Sequence, residues 1–209
     1  MEFESFLTLI SEIKTIKLGG LESQFKMAPK ERKKFSLSHI DKRQPKKAAV
    51  LALFYPDKNN ETCFLLILRP NYKGIHARQI SFPGGKYEVF DKSLEKTALR
   101  ETFEEVGINS KDIEIKRQMS DTFIPPSNFL VSPFLGVLPY TPKFVFNNEV
   151  EKIIEVKLLD LLDDDSITSK ILTTSYLNKI NVPYYKLNGY TVWGATAMML
   201  SEIKDLLKQ

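Results

Sequence analysis

The sequence predicts an α+β sandwich, and three observations lead there. Strand-like runs outnumber helical ones. The helices interrupt the strands at two or three points instead of alternating with them. No internal repeat is evident. A chain of 209 residues, 43% hydrophobic and 27% charged, suits one globular domain able to bury a core.

The elements follow in chain order. Phe3, Phe6, Leu7, Ile10 and Ile13 share one face of a helix over residues 3–15. A loop rich in Lys, Arg and Pro runs from Lys26 to Lys47. Two strand-like runs, Ala48–Tyr55 and Thr62–Arg69, are joined through Pro56-Asp57-Lys58-Asn59-Asn60, a turn-rich segment. A loop over residues 70–85 leads to a helix from Ser93 to Val106. Ser93 or Asp91 can cap its orphan N–H groups, and Gly107 can take the left-handed conformation that closes it. Leu94, Ala98, Thr102 and Val106 recur every four residues and give this helix a face to pack on a sheet. Ile113–Ser120, Phe129–Leu138 and Ile153–Leu158 read as strands, and Leu158–Asp163 as a short helix. Val182–Leu187 and Tyr190–Trp193 flank Asn188-Gly189, a strong hairpin signal. A closing helix over Ala195–Leu207 turns Met198, Met199, Ile203 and Leu206 inward, and core packing is the preferred role of Trp193 and the Met pair.

Composition excludes several classes of function. The net charge of +4 permits an anionic substrate without requiring nucleic acid. Cys63 is the only cysteine, so no disulfide forms within the chain, and a reducing compartment is expected. With His39 and His76 the only histidines, a Cys/His zinc site lacks ligands. Cys63, beside Phe64-Leu65-Leu66-Ile67-Leu68, reads as a small core residue. Glu2, Glu4 and Glu12 spoil a targeting segment, and no apolar run approaches the ~20 residues that cross a bilayer, so a soluble, cytoplasmic protein with no membrane partner is expected. The basic segment Lys26–Lys34 reads first as a solvated loop. Phosphate contact is the second reading. Nucleic acid is a poor third, because no aromatics are interleaved for base stacking.

Residues 84–108 carry the chemistry. They hold a glycine turn, a helix with Glu101, Glu104 and Glu105 on one edge, and Gly107 as a stop. At about 100° per residue, Glu105 lies about 40° round from Glu101 and Glu104 about 60° on the other side. Such a fan is either a solvated helix edge paired with Lys or Arg, or a seat for a hard divalent cation such as Mg²⁺, which takes carboxylate oxygens and keeps waters for substrate phosphates.

This stretch resembles the Nudix box, Gly-x5-Glu-x7-Arg-Glu-U-x-Glu-Glu-x-Gly-U, with U bulky and apolar. Arg100, Glu101, Glu104, Glu105, Gly107 and Ile108 match its second half in register. Thr102 replaces an apolar residue. One extra residue separates Gly85 from Arg100, which leaves Asp91 as the displaced first acid. The resemblance implies a Nudix-type α/β/α sandwich with a mixed sheet over residues 45–209. Residues 1–44 form a helix and basic loop packed on or extending it. It further implies Mg²⁺ or Mn²⁺, with Glu101 and Glu105 as principal ligands. Glu104 is a further ligand or the base that deprotonates water. Gly85 offers its carbonyl oxygen, and Arg100 orients a box glutamate. The assignment of the base stays open among the glutamates, with Glu104 and Glu105 the candidates.

Residues 65–85 also resemble the signature of Nudix coenzyme A pyrophosphatases, Leu-Leu-Thr-x-Arg-Ser-x3-Arg-x3-Gly-x3-Phe-Pro-Gly-Gly. Leu65, Leu66, Arg69, Phe82, Pro83, Gly84 and Gly85 coincide, whereas Gly74 and Arg78 exchange the second Arg and the following Gly, Pro70 replaces Ser and Ile67 replaces Thr. Trp193-Gly194-Ala195-Thr196-Ala197 looks like the start of that branch's closing helix. The resemblance implies hydrolysis of coenzyme A or its thioesters to 3′,5′-ADP and (acyl-)4′-phosphopantetheine, with Arg69, Arg78, Phe82 and Gly84 at the substrate. ADP-ribose or dinucleoside polyphosphates are the alternative substrates, and a non-catalytic nucleotide-sensing module is the remaining class. A homodimer stays open.

Overall fold

The structure is a computed structural model, and it describes residues 1–13, 15–34, 43–71, 77–173 and 178–209. His39, Gly74 and His76 lie outside the described residues. Among those described, the main sheet takes its strands from β1 (Lys46–Pro56), β2 (Thr62–Leu68), β3 (Ile80–Ser81), β4 (Gly84–Lys86), β5 (Glu114–Gln118), β6 (Thr122–Ile124), β7 (Phe129–Val137) and β8 (Lys152–Lys157). β1 is central, parallel to β7 and antiparallel to β2 and β4, so the sheet is mixed.

Alternation along β1 makes the layers. Leu51, Leu53 and Tyr55 point to one face with Cys63, Leu65 and Ile67 of β2, where α3 (Leu94–Val106) brings Ala98, Leu99 and Val106. Ala52, Phe54, Phe64 and Leu66 point to the other face, covered by α1 (Phe3–Glu12) and α5 (Gly194–Leu207). The result is an α/β/α sandwich. A smaller sheet, β9 (Ile167–Leu172), β10 (Ile180–Leu187) and β11 (Tyr190–Trp193), leads into α5, and α4 (Leu158–Leu162) follows β8. The expected hairpin turn has Asn188 and Gly189 both at positive φ, 49° and 78°. Cys63 is buried in β2, and burial pushes its thiol up to about 11.

Three expectations are corrected. Residues 70–85 are not all loop, because Ile80–Ser81 pairs with β2 and the glycine turn is itself strand β4 on β1. The basic segment is not simply solvated. A short helix α2 (Gly20–Gln24) precedes it and packs on α5, Lys26 pairs with Asp205 at 2.6 Å, and Arg32 donates to the Phe123 carbonyl. The polar side of α5 is therefore buried too: Glu202 accepts from Gly20 N at 2.8 Å and Ser120 N at 3.2 Å. Trp193, finally, is only partly buried and lines a cavity.

Candidate active site

Helix α3 is built as its sequence dictates. Ser93 caps it by accepting from Lys96 N at 3.2 Å, and Gly107 closes it at φ 76°. Thr102, where an apolar residue was expected, is buried without cost to satisfaction, since its hydroxyl donates to the Ala98 carbonyl at 2.7 Å. Between Asp91 and the helix, Lys92 sits in the left-handed region at φ 66° after a 3₁₀ turn over Val89–Asp91. That single left-handed step lets Asp91 face Arg100.

Arg100 is the organiser. Its Nε and Nη2 donate to Asp91 at 2.6 and 3.0 Å, while Nη1 reaches Glu101 at 2.8 Å and Glu104 at 3.0 Å. Asp91 also accepts from Thr97 Oγ1 and Glu88 N. The hydrogen bond from Arg100 holds the Asp91 carboxyl down at about 2, against the opposing effect of burial.

The three glutamates have different surroundings. Glu105 is 1% exposed, and its Oε2 accepts from Gly84 N at 2.8 Å. Its Oε1 has no hydrogen-bond partner, since the Arg69 guanidinium at 3.9 Å is beyond bonding distance. Burial pushes the Glu105 carboxyl up to about 7, opposed by the Gly84 N–H and Arg69 and reinforced by Glu101 and Glu149. Glu101 is likewise raised by burial, opposed by Arg100 and reinforced by Glu104 and Glu149. Glu104 is half exposed and turned to Arg100. Thus the expected fan does not converge on one point. Among the described residues, no cluster of three or more His, Cys, Asp or Glu is gathered to hold an ion, and Arg100 Nη1 stands between Glu101 and Glu104.

Two carboxylates nevertheless fit a divalent cation. Glu105 offers a buried oxygen with nothing bonded to it, and Glu101 lies directly over Gly85, where a Cβ would overlap its carboxylate. Mg²⁺ is commonly held by one or two carboxylates with substrate phosphates completing its shell. Gly84 is needed for a different reason. Its φ is 150°, and a Cβ there would strike the Ala49 carbonyl and Val50 Cα.

A cavity of about 260 Å³ opens beside this pair, with Arg69, Phe82, Gly84 and Gly85 in its wall. Arg78 is not brought to it. It stands at φ 55°, mostly exposed, 3.6 Å from Glu151. Sequence reasoning missed Glu149, whose charge acts on both Glu101 and Glu105. It also missed Trp193 as a cavity wall. Glu149 lies in an irregular turn after Asn147 and carries no motif, so no sequence signal pointed to it.

Comparison with known proteins places these features. The NUDIX domain model matches residues 45–173. The chain is 30% identical over 155 residues to the peroxisomal coenzyme A diphosphatase ndx-8 of Caenorhabditis elegans, covering 73% of this chain and 64% of that protein. It is 30% identical over 168 residues to Nudix hydrolase 15, mitochondrial, of Arabidopsis thaliana, covering 77% of this chain and 58% of that one. The chain thus spans less than two thirds of the length of both relatives. A MutT/nudix family protein from Enterococcus faecalis superposes with a TM-score of 0.51 at 18% identity, over 90% of this chain and 71% of that one, a likeness of fold alone. No described helix is long and apolar enough to cross a membrane.

Proposed function

The chain belongs to the Nudix family, and on that premise we propose that it hydrolyses the diphosphate of coenzyme A or its thioesters. The products are 3′,5′-ADP and (acyl-)4′-phosphopantetheine. The observation that carries the hydrolase reading is the unpartnered, buried Glu105 Oε1, on a carboxylate bonded to Gly84 in the wall of a cavity that Arg69 also lines. The coenzyme A reading is supported by the run from Leu65 to Gly85 and by the similarity to a coenzyme A diphosphatase.

Each residue has a task in this reading. Gly84 N–H fixes one oxygen of Glu105 and leaves the other to a cation, and Arg100 holds Glu101 for the same purpose. A bound Mg²⁺ or Mn²⁺ supplies charge neutralisation and a more acidic water. Arg69, with Nε unpartnered, offers its guanidinium to phosphate oxygens. Glu104, half exposed, can accept a proton from the attacking water and release it to solvent. Water adds to one phosphorus, the bridging P–O bond breaks, and two phosphoryl products leave.

A panel of coenzyme A, dephospho-coenzyme A and ADP-ribose, assayed with Mg²⁺, tests the reading. Preferred cleavage of coenzyme A to the two named products is expected. Equal efficiency on the first two with faster cleavage of ADP-ribose would overturn the substrate and leave the diphosphatase.

A further inference from the structure

Two strand edges of this protein contrast. β5, at the rim of the main sheet, carries Glu114, Lys116 and Arg117 and a register shift between Ile115 and Arg117. Charges and bulges of this kind keep a strand edge from pairing with another chain. β9 has no such guard. Among the described residues it pairs on one side only, with β10, in unbroken register from Ile167 to Leu172. Its one charged residue, Lys170, is turned over its own sheet, with Nζ 3.1 Å from Thr191 Oγ1 and 5.1 Å from the centre of the Tyr184 ring. Ile167 and Ile171 stand 41% and 71% exposed.

The hairpin beyond β10 fixes which main-chain groups face the open side. Asn188 and Gly189 both have positive φ, so Leu187 and Tyr190 close a two-residue turn as a hydrogen-bonded pair. Bonded and non-bonded pairs alternate along an antiparallel ladder. Pro183, Tyr185 and Leu187 therefore turn their main-chain groups to the β11 side, and Val182 and Tyr184 turn theirs to β9. Pro183, which has no N–H, sits where β9 asks nothing of it. Thr168 and Lys170, opposite Tyr184 and Val182, are the residues bonded to β10, so Ser169 and Ile171 direct both N–H and C=O outward. Ile167 offers only its C=O, because its N–H donates to the Asp164 carbonyl.

We propose that β9 is the surface by which two copies of this chain associate, antiparallel, about a two-fold axis through Ser169. In that register Ser169 and the second copy's Ser169 exchange main-chain bonds, and Ile171 N–H meets the second copy's Ile167 C=O. Isoleucine then faces isoleucine on both sides of the axis, as an isologous interface requires. A slip by two residues sets Ile171 against the second copy's Ser169 or Asp165 instead. The ends of the strand also complement each other in charge. Asp165 precedes it, and Lys179, whose N–H donates to Thr173 Oγ1 at 3.2 Å, lies beside its far end. Both are exposed, and among the described residues neither is in an ion pair. Antiparallel pairing brings the acidic end of one copy to the basic end of the other, and the two three-stranded sheets become one. β9 lines no part of the cavity beside Arg69, so this pairing is independent of the substrate.

An edge of 6 residues is a small interface, so the dimer forms in a concentration-dependent way. Sedimentation velocity on the full chain should show monomer at ~5 µM and mainly dimer at ~500 µM, as for a Kd on the order of 50 µM. Ser169→Pro removes an N–H that the monomer does not use, and Ile171→Lys puts an ammonium where two isoleucines meet. Both variants should stay monomeric at the higher concentration and keep the parental Tm at the lower. Ser169→Cys tests the register. Facing Cα atoms of a hydrogen-bonded pair stand about 5.5 Å apart, within disulfide reach, so oxidation with diamide should link two copies. Ile171→Cys lies roughly 14 Å from its counterpart and should not link. Cys63 is buried and takes no part. Crosslinking of Ile171→Cys as fast as Ser169→Cys overturns the pairing, as does a dimer that survives both Ser169→Pro and Ile171→Lys. A parental protein that is monomeric at every concentration overturns it too, and leaves the edge to a strand from a different protein.

Discussion

Arg100 holds Asp91 through two nitrogens, Nε at 2.6 Å and Nη2 at 3.0 Å, and this pairing spans the stretch in which the chain carries one residue more than the Nudix box. The remaining nitrogen, Nη1, serves Glu101 and Glu104. Asp91 therefore acts on the site at one remove: it aims the guanidinium that in turn aims a cation ligand.

Replacing Asp91 by Asn should expose that dependence. The amide can still accept at one oxygen but loses the charge that Arg100 faces, at a cost of about 1.5–3 kcal/mol in stability. The pH dependence has a defined sign. The carboxyl is held at about 2 against an ordinary 3.8, so its stabilisation is fully present above pH 3.8 and is lost as pH falls towards 2. Acid unfolding of the parental protein should show this loss, and Asp91→Asn should flatten it. An identical acid profile for the two proteins would show that the pair does not contribute.

Glu101→Gln and Glu105→Gln should each cut turnover by orders of magnitude with the fold retained, since the amide keeps shape but loses the charge that holds a cation. Chelator should abolish activity, and added Mg²⁺ should restore it in the parental protein only. Near-parental turnover in either variant with Mg²⁺ present would remove that residue from the ligand set.

Much of this site was legible because its information is local. Capping by Ser93, closure by Gly107 and the buried stripe Ala98, Thr102, Val106 are properties of one helix, and all are found. The strands Ala48–Tyr55 and Thr62–Leu68 were legible as continuous apolar runs, whereas the α/β/α layering was implied by the family resemblance and not by periodicity. What depends on distant partners was not legible. β9 is largely exposed, with the burial pattern of an edge strand and no apolar alternation to announce it. The buried polar side of α5 becomes intelligible only with α2 packed against it. Glu104 lies on the predicted helix edge, yet it is tied with Glu101 to one nitrogen of Arg100 while Glu105 bonds to Gly84 instead, which angular spacing alone cannot foresee.

The adjacent glycines should fail in different ways. In Gly84→Ala the new methyl meets backbone, the Ala49 carbonyl and Val50 Cα, at a φ that L-residues avoid. A loss of about 2–4 kcal/mol is expected from strain and overlap together. In Gly85→Ala the three atoms nearest the methyl all belong to the Glu101 carboxylate, the far end of a side chain that can swing away from it. That variant should keep its Tm within a degree or two of parental, as expected for ~0.5 kcal/mol or less, and lose turnover. Equal thermal destabilisation of both would contradict the separation of roles.

Arg69 and Arg78 lie on the same signature segment, and the structure separates them. Arg69 lines the cavity, with its guanidinium 3.9 Å from Glu105 and Nε unpartnered. Arg78 sits outside the cavity wall, paired at 3.6 Å with the partly exposed Glu151. A charged hydrogen bond to phosphate is worth about 1.5–3 kcal/mol, so Arg69→Ala should lower kcat/KM on coenzyme A roughly ten- to a hundredfold. Arg69→Lys should recover only part of that, because an ammonium cannot grip two oxygens at once. Removing an exposed pair is worth at most about 1 kcal/mol, so Arg78→Gly should leave kcat/KM within about twofold of parental. Steady-state kinetics on the three variants decides between the positions. A larger loss from Arg78→Gly than from Arg69→Ala would place the phosphate on the opposite side of the segment from the cavity described above.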